Sequence, residues 1–516
     1  MTQIIRLKPT TLSLLILLTV DLLAFAQRAQ AVVPPPDGCY PGFTTAEGCN
    51  ALSLLGSGLG NTAVGWYSLF SAGDANYNTG VGGGTLALNN GDSNTAIGAA
   101  ALLLNTAGAG NTAVGTDALL YNDSGSDNNA VGAFALFNNI DGEGNNAFGG
   151  SALSENVHGA LNTAIGDGAL FNNDITGAGL ANFNTAVGGF ALYFNTDGDS
   201  NTAVGYGALE NNDTGIKNTA VGTQALMSHT GANGGNNAVG YQALASDTNG
   251  ASNNAYGLAA LFSNTTGQAN NAFGFVALRD NVTGAGNTAM GDFALVLSTG
   301  NFNIALGNRA GMNLTTGSAN IDIGNEGVAG ESGTIRIGAG QQARTFIAGI
   351  RGVTTGNANA IPVLIDSVGQ LGTMSSSRRY KRDIQPMEEA SEVIHALKPV
   401  MFHYKTDSTG TPQFGLIAEE VAEVNPDLVV RDDEGEIYSV RYDAVNAMLL
   451  NEFLKEHRTV QQQSRKIQEQ EAAIAELKSE IKALAAMVNQ QGSELREVSA
   501  QLQVDNAAVQ EIASND

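Results

Sequence analysis

One short motif, N-[TN]-A-x-G-x-x-A-L, recurs along most of this chain and leaves little choice of fold. It begins at Asn61, Asn78, Asn94, Asn111, Asn128, Asn145, Asn162, Asn184, Asn201, Asn218, Asn236, Asn253, Asn270 and Asn287, with weaker copies at Asn303 and Asn320. The usual step is about 17 residues, too short for helix-pair repeats and suited to one turn of a β-solenoid. Each copy supplies a short apolar strand (Ala63-Val64, Ala96-Ile97, Ala147-Phe148), a glycine turn and a second apolar pair (Ala87-Leu88, Ala118-Leu119, Ala208-Leu209). Stacking then predicts that the Val, Ile and Phe positions lie above one another in a narrow core. Alanine would keep the wall thin, and glycine would take the turn conformations with φ > 0. The asparagines are expected to form ladders along the turns, each amide bonding to the next rung. Sixteen rungs at roughly 4.8 Å each predict a rod of about 75 Å. A disordered low-complexity tract would not keep apolar residues at fixed positions in every copy.

Composition supports a backbone-dominated architecture: 65 of 516 residues are glycine, 10 are proline, only 14% are charged, and the formal net charge is −25. Between residues 32 and 375 the basic residues are Lys217, Arg279, Arg309, Arg336, Arg344 and Arg351. No basic stripe is available to neutralise phosphates, which excludes nucleic acid as the partner of the long body.

The first residues read as an export signal over 1–31. Arg6 and Lys8 precede an apolar run from Leu12 to Ala26, and Ala29-Gln30-Ala31 offers small residues for signal peptidase, with cleavage after Ala31 preferred to Ala26. A transmembrane anchor is the alternative, disfavoured because the run is short and Asp21 interrupts it. No later segment is apolar enough to cross a bilayer. The protein is therefore expected to be secreted or held at a cell surface. In an oxidising compartment Cys39 and Cys49 are expected to pair and close a small loop in an N-terminal segment, 32–57; two free thiols are the alternative. The five histidines, His158, His229, His395, His403 and His457, have no ligand spacing, so neither a metal nor a cofactor is expected.

The repeat region, 58–330, gives way to a neck, 331–375, with strand-like pieces at Thr334–Ile337, Thr345–Ile350 and Val363–Ile365. Composition changes again at Ser375-Ser376-Ser377-Arg378-Arg379-Tyr380-Lys381-Arg382-Asp383-Ile384. Helical patterns follow at Glu388–Leu397, Ile417–Val424 and from Asp443 onward. A serine hydroxyl attacks poorly unless a base accepts its proton, and a lysine does so where desolvation or like charge favours its neutral form. Ser376 stands five residues before Lys381, and Arg378, Arg379 and Arg382 surround that lysine in sequence. The Ser376 hydroxyl lies directly after the Ser375–Ser376 peptide bond and reaches the preceding carbonyl through a small ring. By itself this run also reads as a solvated linker.

Two resemblances sharpen the reading. The N-x-A-x-G core resembles the head repeats of trimeric autotransporter adhesins, which implies a parallel β-roll assembled as a trimer. The repeat here is longer, and the sequence shows none of that family's amphipathic anchor strands. The border motif S-S-x-R-x-K-x-D-I is followed by Pro399-Val400-Met401-Phe402, Phe414 to Val421, Asn425 to Val429 and Tyr438 to Tyr442. Together these resemble the C-terminal intramolecular chaperone of phage endosialidases and tail fibres, a self-cleaving serine–lysine peptidase that helps three β-rich chains fold. The resemblance implies a domain over 376–458 with Ser376 as nucleophile, Lys381 as base and the Ser375–Ser376 bond as the cleavage site. That family often has an acidic residue where Ser377 stands and an aliphatic one where Tyr380 stands. Neither departure removes a catalytic group.

From 459 to 512 the chain reads as a coiled coil. Val460, Ile467, Ile474, Ile481, Val488, Leu495, Leu502 and Val509 recur at seven-residue steps, with Leu477, Leu484, Val498 and Ile512 on the second seam. Gln463, Gln470 and Gln491 share that second seam, and the mixture suits three strands better than two. The expected fold is thus mainly β: a trimeric parallel β-roll or β-solenoid, a small α+β chaperone domain and a trimeric coiled coil. The expected function is that of an adhesin-like homotrimeric fibre with a cell-surface or glycan receptor, whose one enzymatic act is a single cut in its own chain. A glycan-degrading phage-type fibre is an alternative, although no carboxylate pair for such hydrolysis is recognisable. An ice-binding solenoid is another: Thr62, Thr79, Thr95 and Thr112 form a row, but Asn129 and Asn146 interrupt it.

Overall fold

The computed structural model describes residues 41–432 and 434–512. The expected signal peptide and Cys39 lie outside the described residues, while Cys49 is exposed. The chain divides into two units between Phe346 and Ile347.

The first unit is a parallel β-solenoid. Three-residue strands from Thr45–Glu47 to Ile335–Ile337 build one 18-stranded sheet in which each strand pairs with the corresponding strand of the next repeat. Thr112, Ala113 and Val114 lie opposite Asn129, Ala130 and Val131, with the same in-register match from rung to rung. The stack runs past the expected 58–330 limits at both ends. Thr45–Glu47 pairs with Thr62–Val64, and Ile335–Ile337 pairs with Ile321–Ile323.

The core is not the expected one. Ala113 and Ala130, in the middle of their strands, are fully buried, whereas Val64, Ile97 and Phe148 are 38%, 42% and 43% exposed. Side chains alternate along a strand, so the first and third residues share the outer face and only the second points inward. The interior is filled by those alanines together with the Ala-Leu pair, such as Ala118 and Leu119, both at 0% exposure.

Glycine is also not alone in taking φ > 0. The buried leucines do so in rung after rung, with Leu119 at φ 52° and Leu136 at φ 53°. Each such leucine costs about 1–2 kcal/mol in backbone sterics, offset by the roughly 1.5–3 kcal/mol of burying its side chain. Glycine is needed for a second reason just after each strand. Gly115 has φ 144°, and a Cβ there would lie 2.3 Å from the carbonyl oxygen of Gly132 in the rung above.

Two asparagine ladders run through the turns. In the first, the Asn111 amide N–H donates to Asn94 Oδ1 at 2.9 Å, and Asn111 Nδ2 donates to the Gly125 carbonyl at 2.8 Å. In the second, Asn122 Nδ2 donates to Asn105 Oδ1 at 2.6 Å and also to Gly125 O at 2.9 Å. All four asparagines are fully buried. Buried amides that find every partner stabilise and specify; those that lose one are costly. His229, Asp247 and Ser298 replace asparagines in the second ladder, and the effects are local. His229 Nδ1 bonds Asp247 at 2.7 Å and its Nε2 bonds the Asn233 carbonyl at 2.7 Å, while Asn212 Oδ1 below it has no partner among the described residues.

Near the C-terminal end of the stack the inward position changes from Ala305 to Asp322 and then to Arg336. Asp322 is 1% exposed and neither carboxylate oxygen has a hydrogen-bond partner among the described residues. Burial, reinforced by Glu331 and opposed by Arg336, pushes its carboxyl up to about 6. Arg336 is committed to Glu331 at 2.8 Å.

The neck differs in one piece. Leu364–Ile365 pairs with Leu371–Gly372 as a small antiparallel ladder, but Thr345–Ile350 forms no strand. In the second unit the C-terminal segment is one continuous helix, Tyr442–Ile512, of 71 residues. Its heptad residues Val460, Ile467, Ile474 and Ile481 are all exposed in the single chain. Among the described residues no helix is long and apolar enough to cross a membrane.

Two outcomes follow for the solenoid. Gly132→Ala, which combines a φ of 140° with a Cβ 2.2 Å from Gly149 O, is expected to destabilise its rungs by more than about 1 kcal/mol. Hydrogen exchange should show this as lost protection centred on residues 112–150. Because the folded Asp322 carboxyl lies above its unfolded value, protonation favours the fold: that contribution is complete below about pH 4 and disappears as pH rises through about 6. Protection factors over 321–337, corrected for intrinsic exchange, should be higher at pH 5 than at pH 8 by about tenfold, the equivalent of about 1 kcal/mol. Asp322→Asn should remove the difference.

Candidate active site and chaperone unit

Ser375, Ser376 and Ser377 lead into a single 3₁₀ turn, Arg378–Tyr380, closed by the Lys381 N–H donating to the Arg378 carbonyl at 3.1 Å. Ser376 and Lys381 therefore sit on either side of one turn. Residues 371–386 are exposed throughout, and no hydrogen bond joins the two side chains. Two of the flanking arginines have partners of their own: Arg379 lies 4.7 Å over the Tyr380 ring, and Arg382 is 3.8 Å from Asp383. Like charge around the lysine is thereby partly compensated within this segment.

The motifs that follow become the elements of the unit. Val400–Phe402 pairs antiparallel with Gln413–Gly415, and Val429–Arg431 pairs with Ile437–Val440 across a bulge at Val430/Arg431. The helix Ala418–Val424 lies between these hairpins in sequence and ends at Asn425, whose Oδ1 accepts the Asp427 N–H at 2.9 Å and starts the turn Pro426–Leu428. Val421, Leu428, Val429 and Val440 form the buried centre. The first hairpin turns at Asp407, where Thr409 and Thr411 hold the carboxylate down at about 2.

Sequence reasoning missed a polar cluster between the 3₁₀ segment Glu388–Ala396 and the long helix. Ser391, fully buried, hydrogen-bonds Glu452, and Asn451 Nδ2 donates to Ser391 Oγ at 2.7 Å. Lys455 Nζ reaches Glu452 at 2.8 Å and Glu392 at 3.3 Å, and His395 Nε2 lies 3.1 Å from Glu452. Lys455 first, then Ser391 and His395, hold the Glu452 carboxyl down at about 2. The partners are some sixty residues apart in sequence, and no local spacing announces them. Beside this cluster lies an open apolar groove of about 570 Å³ lined by Ile394, Leu397, Met401, Phe414 and Leu449. Among the described residues no group of three or more His, Cys, Asp or Glu converges on a metal position.

Residues 376–430 match the family model Peptidase_S74, described as chaperone of endosialidase, and the match opens at Ser376. No curated protein is found to match the chain. The chain is thus a β-solenoid protein that carries an endosialidase-type chaperone segment, and that family implies self-cleaving peptidase activity.

The polar cluster gives a direct test of what holds the unit together. Glu452→Gln should cut the exchange protection of residues 388–396 by about tenfold or more while leaving the two hairpins protected. Since the Glu452 carboxyl is depressed, its contribution is present above the usual carboxylate range and is lost only as pH falls towards about 2. Protection of this segment in the parent protein should therefore persist unchanged from pH 7 to pH 5.

Proposed function

We propose that this protein is an exported, adhesin-like surface fibre of three identical chains. Its chaperone domain, 376–458, with the coiled coil 459–512, brings the chains together and then releases itself by a cut at Ser375–Ser376. The observation that carries this reading is the coincidence at Ser376 of the family match and the Ser-x4-Lys spacing, after a solenoid whose last rung is Ile335–Ile337. Support for three chains comes from the heptad residues of the long helix, which lie exposed in one copy, and from the trimeric nature of the chaperone family.

In this reading Ser376 Oγ attacks the Ser375 carbonyl carbon while Lys381 Nζ takes the hydroxyl proton. The peptide C–N bond breaks as the proton passes to the departing Ser376 nitrogen, leaving an ester between the two serines. Water then hydrolyses the ester, giving a Ser375 carboxylate and restoring the Ser376 hydroxyl. Lysine serves as base only in a desolvated or like-charged setting, and the segment is open to water in a single chain. Neighbouring chains supply the missing burial, so the cut follows assembly.

A helper of this kind answers a specific hazard. Solenoid rungs of nearly identical sequence match apolar to apolar after a slip of one repeat, and three chains multiply the wrong registers. Joining the chains at their C-terminal helices sets the register before the rungs stack, and cutting afterwards leaves the body kinetically trapped.

Intact mass of the expressed protein should show a body of 32–375 and a fragment of 376–516, whereas Ser376→Ala and Lys381→Ala should each stay in one piece past Ser375. The triple substitution Ile467→Asp, Ile474→Asp and Ile481→Asp, which leaves the dyad intact, should also remain uncut. Normal cleavage in either dyad variant would remove Ser376 and Lys381 from the mechanism, and normal cleavage in the triple variant would separate the cut from assembly.

A further inference from the structure

The last two rungs of the solenoid put opposite charges at the inward position that earlier rungs give to alanine or glycine. Asp322 and Arg336 are the middle residues of Ile321–Ile323 and Ile335–Ile337 and lie directly opposite one another in the parallel register, with Ala305 on the rung before. One rung spacing, about 4.8 Å, separates their backbones. The two side chains nevertheless do not pair. Arg336 grips Glu331 through Nε, at 2.9 and 3.0 Å, and through Nη2, at 2.8 Å. Asp322, 1% exposed, has no hydrogen-bond partner at either oxygen among the described residues. Such a carboxyl group is tolerated while it carries a proton, but ionised and unpartnered in a dry interior it is costly.

Few charges face it. The segments packed against it come close at Gly311 and Gly327, where a Cβ would lie 3.3 and 3.1 Å from Asp322 Oδ2. The charges those segments carry at Arg309 and Glu326 are turned to each other at 3.8 Å, each about half exposed. Glu331 and Arg336 are left to act on Asp322, the first against its ionised form and the second in favour of it. With burial as the largest cause its carboxyl lies at about 6, so its charge changes between mildly acidic and neutral pH.

Glu331 belongs to a turn that is able to let go. Its Oε1 accepts the Val328 N–H at 2.8 Å, and its carbonyl accepts Nδ2 of Asn320, at the end of the first asparagine ladder, at 2.8 Å. Gly330 and Gly333, at φ 75° and 67°, have nothing within 4 Å of a Cβ position. The turn therefore borders water, and a Glu331 side chain freed from Arg336 regains its solvation by rotating outward, whereas Asp322 has no route to water. We propose that Arg336 exchanges carboxylates: it holds Glu331 while Asp322 is protonated and crosses to Asp322 when that proton is lost, so the last turn of the solenoid is latched in acid and released near neutral pH.

Carboxyl labelling of the full-length chain with a water-soluble carbodiimide and an amine tests the exchange, read by peptide mass at Glu331 and Asp322 relative to the exposed Asp366. From pH 5 to pH 7.5 labelling of Glu331 should rise by about tenfold, following the ionised fraction of Asp322, while Asp322 itself stays unlabelled. In Asp322→Asn, and in Asp322→Ala, which restores the residue of the Ala305 rung, Glu331 should stay weakly labelled at both pH values. In Arg336→Gln it should be strongly labelled at both. Glu331 labelling that does not change with pH in the parent chain, that rises equally in the two Asp322 variants, or that stays weak in Arg336→Gln overturns the proposal. So does labelling of Asp322 together with Glu331 at pH 7.5, because the end of the stack would then be fraying rather than exchanging partners.

Discussion

Each rung of this solenoid sits so close to the next that backbone meets backbone, and that approach governs everything else in the body. At Gly115 there is no room for a Cβ beneath the Gly132 carbonyl. With strands only three residues long, the sheet alone contributes few hydrogen bonds per rung, and the buried asparagines supply the rest. Asn111 and Asn122 both donate to the same Gly125 carbonyl while passing a further bond along their own ladders. The amide side chain suits this role because it offers donor and acceptor together and so repeats without end. Where it is replaced, at His229 and Asp247, the new pair satisfies itself and leaves Asn212 Oδ1 without a partner among the described residues.

The narrow interior that follows from this stacking changes what the apolar residues do. Alanine and leucine fill the core, leucine at the cost of a left-handed backbone, and the larger Val, Ile and Phe side chains are left on the outside. A solenoid built this way satisfies its own backbone and hides its small side chains, yet it presents an uncovered apolar strip. The long helix of the second unit does the same with its heptad residues. Both units of one chain thus display exposed apolar rows, and the chaperone-type segment lies in sequence between the solenoid and the long helix.

The chaperone segment holds its own fold by different means. Its buried apolar centre is small, and a polar cluster of Ser391, Glu452, Lys455 and His395 ties the first 3₁₀ segment to the start of the long helix. The expected catalytic pair is less constrained: Ser376 and Lys381 flank one exposed turn without touching. In the mechanism proposed above the pair acts once, after assembly, and has no need to be preorganised in a lone chain.

The sequence by itself determined that the body is a parallel solenoid, because a strict repeat of about 17 residues with glycine and asparagine at fixed places is satisfied by stacking and by little else. It also pointed to Ser376, where the family match begins, and to the long C-terminal helix, since each depends on local pattern. It did not determine which apolar residue of N-[TN]-A-x-G faces inward. Alternation permits either Ala113 or Val114 to point into the core, and only the cross-section closed by the Ala118-Leu119 turn decides for alanine. Nor did it reveal the second asparagine ladder, the left-handed leucines, the inward Asp322 or the Ser391–Glu452 contact. Each of these depends on which residues the completed stack or the docked helix brings together across long separations in the chain, and no spacing within one repeat records that.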